Sequence, residues 1–144
     1  MLQICDPPLT IHQDNFDPGK GNALQAAIAS LFGLPLGQVP NFIEMPNGYE
    51  ASINSFSRDG GMVAKKIKLI GSDSCNMSDL KQGELCILRG KSPRGDHGHV
   101  VVARWDGSEF IMVHDPHPDG TFLDKIESLG WCMTFHFKRF KIDY

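Results

Sequence analysis

The residues of this chain that are best suited to proton transfer cluster around one predicted β-hairpin. His97 and His99 lie before its first strand, and His114, Asp115 and His117 lie at the end of its second strand. A histidine whose ring is held by a carboxylate acts as a general base near neutral pH, whereas several histidines on one strand face are typical zinc ligands. The sequence therefore allows two kinds of site, a histidine base or a metal centre.

The length of the hairpin turn decides between these two sites. The predicted strands, both rich in β-branched and aromatic residues, are Val100–Trp105 and Glu109–His114. A two-residue turn sets His99 opposite His114 and favours the metal site. A three-residue turn, or a bulge beside Gly107, sets His99 opposite Asp115 and favours the base. Both registers stay open at this level.

An early helix must position the rest of the site. Strong helix formers run from Ala23 to Phe32, after Asn22 as a candidate N-cap and before Gly33 as the stop. Its apolar face, at spacings of three and four, consists of Leu24, Ala27, Ile28, Leu31 and Phe32. A helix N-terminus lowers the pKa of a thiol placed there through its free amides and positive field. The position where such a nucleophile belongs holds Ala23.

The remaining pattern predicts an α+β fold of one domain, residues 1–144. The further predicted elements are a helix at Gly48–Arg58 and strands at Met62–Ile70, Glu84–Arg89 and Gly130–Lys138. The run of apolar residues in Glu84–Arg89 indicates a central strand. We expect N-terminal helices packed on an antiparallel sheet of about four strands, which brings the start of the first helix to the polar end of the hairpin.

Composition argues against several classes of protein. The net charge is -3 and the 144 residues hold no basic cluster before the tail Lys138–Lys141, so we expect no nucleic-acid partner. No apolar run approaches the roughly 20 residues of a membrane span, and no secretory leader begins the chain. The four cysteines are scattered, which indicates a reduced, cytoplasmic protein; Cys86 and Cys132 lie in apolar runs and are expected in the core.

Two stretches resemble papain-like cysteine peptidases. Gln13-x-x-Phe16, followed by Gly21-Asn-Ala-Leu-Gln-Ala-Ala-Ile-Ala-Ser-Leu-Phe-Gly-Leu-Pro35 and Val39-Pro-Asn-Phe42, resembles sequences that read Gln and then Gly-Asn-Cys. The string Gly98-His-Val-Val-Val with Asp115-Pro116 is similar to the double-glycine leader peptidases of bacteriocin exporters. Small bacterial and phage relatives carry strings like Ser92–Gly95 and His114–Pro118. The resemblance covers residues 11–42 and 84–120.

The resemblance implies a role for each matching residue. Position 23, here Ala23, would be that of the cysteine nucleophile, His99 would be the base, and Asp115 would orient its ring. The amide of Gln13 and the backbone N–H of position 23 would form the oxyanion hole. Asn22 would contribute to substrate binding, and no metal or cofactor is implied. A peptide or protein would be the substrate.

Arg94 lies in a loop that is expected to flank the cleft. It either holds a substrate carboxylate by a bidentate contact or is a solvated loop charge, and the sequence leaves both open.

The departure from that family is Ala23 itself. We interpret the chain as an inactivated variant of a peptidase, because a natural pseudoenzyme has no evident need for His99, Asp115 and Gln13 together. The alternatives are a catalytically silent peptide- or protein-binding module on the same fold and, less favoured, a metal-binding hydrolase. The last would use His97, His99, His114 and His117 as ligands.

Overall fold

The computed structural model describes residues 1–17, 20–69, 79–124 and 130–138. Its helices are α1 (Ala23–Phe32), α2 (Tyr49–Asp59) and two single-turn 3-10 helices (Leu36–Gln38 and Phe42–Glu44). Its strands are β1 (Met62–Lys68), β2 (Leu85–Lys91), β3 (Gly98–Trp105), β4 (Phe110–His114) and β5 (Trp131–Phe137). The predicted α+β class is confirmed. The predicted end of the first long strand, Ile70, lies outside the described residues.

One antiparallel sheet forms the second half of the described chain. Its strand order is β1-β5-β2-β3-β4, which makes five strands where about four were expected. The strand β2 lies in the middle of the sheet, as its continuous apolar run predicts, because a strand covered on both faces has no solvated side. β1 and β4 form the two edges.

The register of the β3–β4 hairpin differs from both predicted alternatives. Trp105 pairs with Phe110, so the turn holds four residues, and a bulge then sets Val102 opposite His114. Asp115 is the next residue after this last pair, and its Oδ1 lies 2.7 Å from His99 Nε2. His99 and Asp115 are neighbours, as in one of the two predicted registers, but the register that brings them together matches neither predicted turn length.

The helix α1 is the centre of the larger core. Every residue of its predicted apolar face is buried, and so are Ala26, Ala29 and Ser30. Ser30 is satisfied by its own helix, since its hydroxyl donates to the Ala26 carbonyl at 2.8 Å. Gly33 ends the helix in the left-handed conformation at φ 65°, as predicted. The helix thus has no solvated face along most of its length, and its first residue is fixed relative to the sheet.

The two faces of the sheet carry separate clusters of apolar side chains. Ile87, Val102 and Met133 face α1 and α2, whereas Leu88, Val101 and Cys132 belong to the cluster on the opposite face. Cys86 and Cys132 are fully buried, as predicted. Cys75 lies outside the described residues.

Among the described residues, no single helix is long and apolar enough to cross a bilayer. The consecutive segments Ala23–Phe32 and Leu36–Glu44 would together be long and apolar enough, but they are bent by 98° relative to each other.

Candidate active site

His99 and Asp115 form a buried hydrogen-bonded pair. His99 Nε2 lies 2.7 Å from Asp115 Oδ1, and the two residues are 6% and 4% exposed. The same carboxylate accepts two backbone N–H groups, from His117 at 3.0 Å on Oδ1 and from Phe122 at 2.8 Å on Oδ2. Together these bonds engage both oxygens and leave the carboxylate one orientation. Asp115 thereby fixes the tilt of the imidazole.

The environment keeps Asp115 ionised. Burial raises the pKa of its carboxyl, but the hydrogen bond with His99 and the N–H donors of Phe122 and His117 outweigh it, so the pKa falls below its ordinary value. An ionised carboxylate can only accept hydrogen bonds, so Nε2 of His99 carries the proton. The other ring nitrogen, Nδ1, is then the basic atom of the neutral ring, and it has no hydrogen-bond partner among the described residues.

The imidazole of His99 opens onto a cavity of about 780 Å³ that Ala23 and Gln13 also line. Ala23 is the first residue of α1, so its backbone N–H is one of the four amides that no helical carbonyl accepts. The cavity therefore joins an imidazole with a free basic nitrogen, a helix N-terminus and a side-chain amide. A cysteine at position 23 would lie at this helix start, in the field that favours a thiolate.

Gln13 is buried and aimed by the segment that precedes α1. Its backbone N–H donates to the Pro116 carbonyl at 2.9 Å, which ties this segment to the residue after Asp115. One N–H of its side-chain amide donates to the Asn15 carbonyl at 3.1 Å, which leaves the second N–H of Nε2 available. Among the described residues, its Oε1 is a buried oxygen with no partner. The amide is thus held beside the start of α1 with a spare donor.

Asn22 does not have the role predicted for it. It occupies the N-cap position, but its side chain makes no capping hydrogen bond, and it is not among the described residues that line the cavity. Its Oδ1 accepts the backbone N–H groups of Asp14 and Asn15 at 3.0 and 2.9 Å, and its Nδ2 donates to Asp14 at 2.7 Å. Asn22 is therefore a positioning residue that holds the Gln13 segment against α1. Asn22 thus takes the N-cap position, as predicted, but its side-chain oxygen accepts N–H groups of the preceding loop and none of the helix.

Arg94 lines the cavity, but an acid of the protein already holds it. Its Nη1 lies 3.0 and 3.1 Å from the two carboxylate oxygens of Asp119 and 3.0 Å from the hydroxyl of Thr121. Burial raises the pKa of the Asp119 carboxyl. The N–H and hydroxyl of Thr121 and the guanidinium of Arg94 outweigh this effect and lower the pKa to about 2. The expected substrate carboxylate would have to compete with this ion pair.

The histidines do not form a metal centre among the described residues, where no group of three or more potential ligands is found. His114 points away from the cavity, as predicted for a residue next to an inward Asp115, and lies against the N-terminal segment, where its Nε2–H donates to the Ile11 carbonyl at 2.7 Å. His117 does line the cavity, with its ring 6.4 Å from that of His99. The geometry favours the histidine–carboxylate pair over the metal alternative.

The cavity wall also contains residues that were not anticipated from the sequence, and among them are Tyr49, Lys66, Lys68 and Trp131. They come from α2, β1 and β5, which the resemblance does not cover. An alternation of lysine with apolar residues along β1 was the available signal, since it places the two lysines on one strand face.

Comparison of the chain with protein-family models, curated proteins and solved structures gives no match.

Proposed function

We propose that this chain is a papain-like cysteine peptidase or amidase whose nucleophile position holds Ala23. The observation that supports this most directly is the 2.7 Å bond between Asp115 and His99, which lines the same cavity as Ala23. A carboxylate that fixes an imidazole next to a helix N-terminus is the arrangement that activates a thiol.

With cysteine at position 23, the reaction is acyl transfer. His99 Nδ1 takes the thiol proton, and the sulfur attacks the substrate carbonyl carbon while its oxygen becomes an oxyanion. The spare N–H of Gln13 and the backbone N–H of position 23 donate to that oxyanion. The C–N bond then breaks as His99 returns the proton to the leaving amine, and a thioester remains. Water, deprotonated by His99, hydrolyses the thioester and regenerates the thiol.

The second candidate is a binding module that does not cut. Alanine has no atom that can attack a carbonyl, yet the cavity and the His99–Asp115 pair are retained around it. In its present form the chain would hold a peptide or protein segment in the cavity without turnover. The two candidates share one binding site and differ in whether the machinery becomes active when a thiol is restored.

Restoring the thiol tests the proposal. In the variant Ala23→Cys we expect iodoacetamide at pH 6 to alkylate the new thiol about 10- to 100-fold faster than an ordinary exposed cysteine, because the helix start and His99 stabilise the thiolate. The matched control is Ala51→Cys, an exposed thiol that also lies in the first turn of a helix, so the difference between positions 23 and 51 isolates the contribution of His99. His99→Ala in the Ala23→Cys chain should remove the excess rate. Equal rates at positions 23 and 51 would favour the silent module.

The oxyanion donor can be tested separately from the thiolate. In the Ala23→Cys chain, Gln13→Ala should slow acylation by p-nitrophenyl acetate by about 10- to 100-fold, since one donor to the developing oxyanion is lost. Its iodoacetamide rate should stay within about twofold, because displacement of iodide builds no oxyanion. If both rates fall together, Gln13 supports the fold of the site and does not contact the oxyanion.

A further inference from the structure

The charge of the cavity wall contrasts with that of the whole chain. The chain carries a net charge of -3, yet Lys66, Lys68 and Arg94 line the cavity. Among the described lining residues, Asp17 is the one acid. Cations that surround a concave site focus a positive potential into it. The lining of the cavity is therefore more basic than the chain as a whole.

Lys66 is a charged hydrogen-bond donor held close to the aromatic rings of Tyr49 and Trp131. Its Nζ donates to the Tyr49 hydroxyl at 2.7 Å and to Glu50 at 3.1 Å, and it lies 5.1 and 5.5 Å from the ring centroids of Tyr49 and Trp131. Burial lowers its pKa, but these hydrogen bonds outweigh it and the pKa is raised, so the ammonium stays charged. An ammonium has three N–H donors, of which two are used. One donor remains for a group in the cavity.

Lys68 provides a second cation two residues along the same face of β1. It is exposed, and no ion pair engages it among the described residues. Lys65 alternates to the other face, is not among the described lining residues, and is paired with Asp79 at 2.9 Å. Successive same-face positions of a strand are about 6.6 Å apart, which is also the spacing of alternate side chains in an extended peptide.

We infer that the cavity selects acidic peptides, with Lys66 and Lys68 binding Asp or Glu side chains of the segment next to the bond held at Ala23. This inference rests on the proposed function and names its substrate class. A nucleic acid is disfavoured, because Trp131 is 5% exposed and stacks on Tyr49 at 5.7 Å and 9°, which leaves little of its ring surface for a base.

A peptide-retention experiment tests the inference with the chain as it is. The immobilised protein, with Ala23 in place, is offered an equimolar synthetic library of ten-residue peptides in matched pairs that differ in Asp or Glu against Asn or Gln, and retained peptides are counted by mass spectrometry. We expect the acidic member to be retained about fivefold more at low salt, the upper range for exposed ion pairs. Lys68→Gln should abolish most of this preference, and Lys66→Gln part of it.

Lys65→Gln is the matched control, because it removes the same charge from the same strand on the opposite face. It should leave the preference unchanged. Equal retention of acidic and amide peptides, retention of neither, or a preference that survives Lys68→Gln would overturn the inference. Retention of a single-stranded oligonucleotide in preference to the acidic peptides would overturn it in favour of a nucleic-acid ligand.

A second readout separates this inference from the proposed function. In Ala23→Cys, anionic iodoacetate and neutral iodoacetamide report the field at the thiol through the ratio of their rates. Lys68→Gln should lower the ratio about two- to threefold and leave the iodoacetamide rate unchanged, whereas Lys65→Gln should change neither. An unchanged ratio in Lys68→Gln counts against the inference. A thiol at position 23 that reacts no faster than one at position 51 counts against the proposed function alone.

Discussion

Two histidines at the same end of the β3–β4 hairpin are equally buried, but they differ in their hydrogen-bond partner and in whether they line the cavity. His99 and His114 are each 6% exposed, and each makes one short hydrogen bond of 2.7 Å through Nε2. The partner of His99 is the carboxylate of Asp115, whereas the partner of His114 is the carbonyl of Ile11. His99 lines the cavity, while His114 ties the N-terminal segment to β4.

The hydrogen-bond partner of the ring, and not its burial, distinguishes these two histidines. Burial lowers the pKa of His114, an effect that its bond with the Ile11 carbonyl does not overcome, so His114 favours the neutral form. An ionised carboxylate stabilises the imidazolium that proton transfer creates, and a carbonyl dipole does so much less. His114 is therefore a structural tether, although its type, burial and place in the sequence match those of His99.

The largest expected difference is in thiol activation. In the Ala23→Cys chain, Asp115→Asn should slow alkylation of the new thiol by about 100-fold, because the imidazolium loses its anionic partner and the ring its fixed tautomer. His114→Gln, measured in the same background, should change the rate by less than about twofold, since its amide can still donate to Ile11. The rates are measured with iodoacetamide by intact-protein mass spectrometry.

Comparable losses of alkylation rate in Asp115→Asn and His114→Gln would contradict the distinction between the two histidines. They would mean that the hairpin end responds as one structural unit and that Asp115 has no special role in activating position 23.

A smaller effect is expected on stability. Asp115→Ala should lower the free energy of unfolding by about 2 kcal/mol, because the backbone N–H groups of His117 and Phe122 lose their acceptor in a buried place. Asp124→Ala, which removes an exposed carboxylate paired with Lys91 at 3.4 Å, should cost less than about 1 kcal/mol. Urea unfolding of both variants measures the difference. Similar costs would show that the bonds of Asp115 contribute no more than a surface ion pair.

The sequence predicted the parts of the site that depend on local pattern. The helix from Ala23 to Phe32 follows from alanine content and apolar spacing, and its burial fixes where its first residue lies. The pairing of His99 with Asp115 was one of two that the hairpin left open, and the resemblance to papain-like peptidases favoured it. Inward orientation of Asp115 implied the outward orientation of His114, which the structure bears out.

Features that depend on tertiary contacts were not predictable. The bulge that sets Val102 opposite His114 inserts a residue without any glycine or proline to mark it. Asn22 has the ordinary appearance of an N-cap, and the proximity of the Asp14 segment decides its actual partners. The lysines of β1 reach the cavity because β1 pairs with β5, a contact between distant parts of the chain. Sequence patterns identify faces, but not which faces meet.

The smallest expected effect is a difference in the acid sensitivity of folding stability, and the two histidine environments differ in the pH window in which stability is lost. The folded-state pKa of His114 is lowered from its ordinary value of 6.5 by burial, with the nearby His12 adding to the effect, so the unfolded chain takes up this proton first. Its contribution to stability is present above pH 6.5 and is lost as the pH falls below that value. His114→Gln should therefore flatten the loss of stability between neutral and mildly acidic pH.

The contribution of Asp115 has the same sign and a lower window. Because its folded-state pKa lies below the ordinary 3.8, its stabilisation is full at neutral pH and is lost only as the pH falls below about 4. Urea midpoints measured from pH 7 to pH 3 should thus show that His114→Gln removes the upper part of the decline and Asp115→Asn the lower part. If His114→Gln leaves the upper part in place, the carbonyl-bound histidine titrates as freely in the folded chain as in the unfolded one. The contrast with the carboxylate-bound histidine would then rest on the cavity alone.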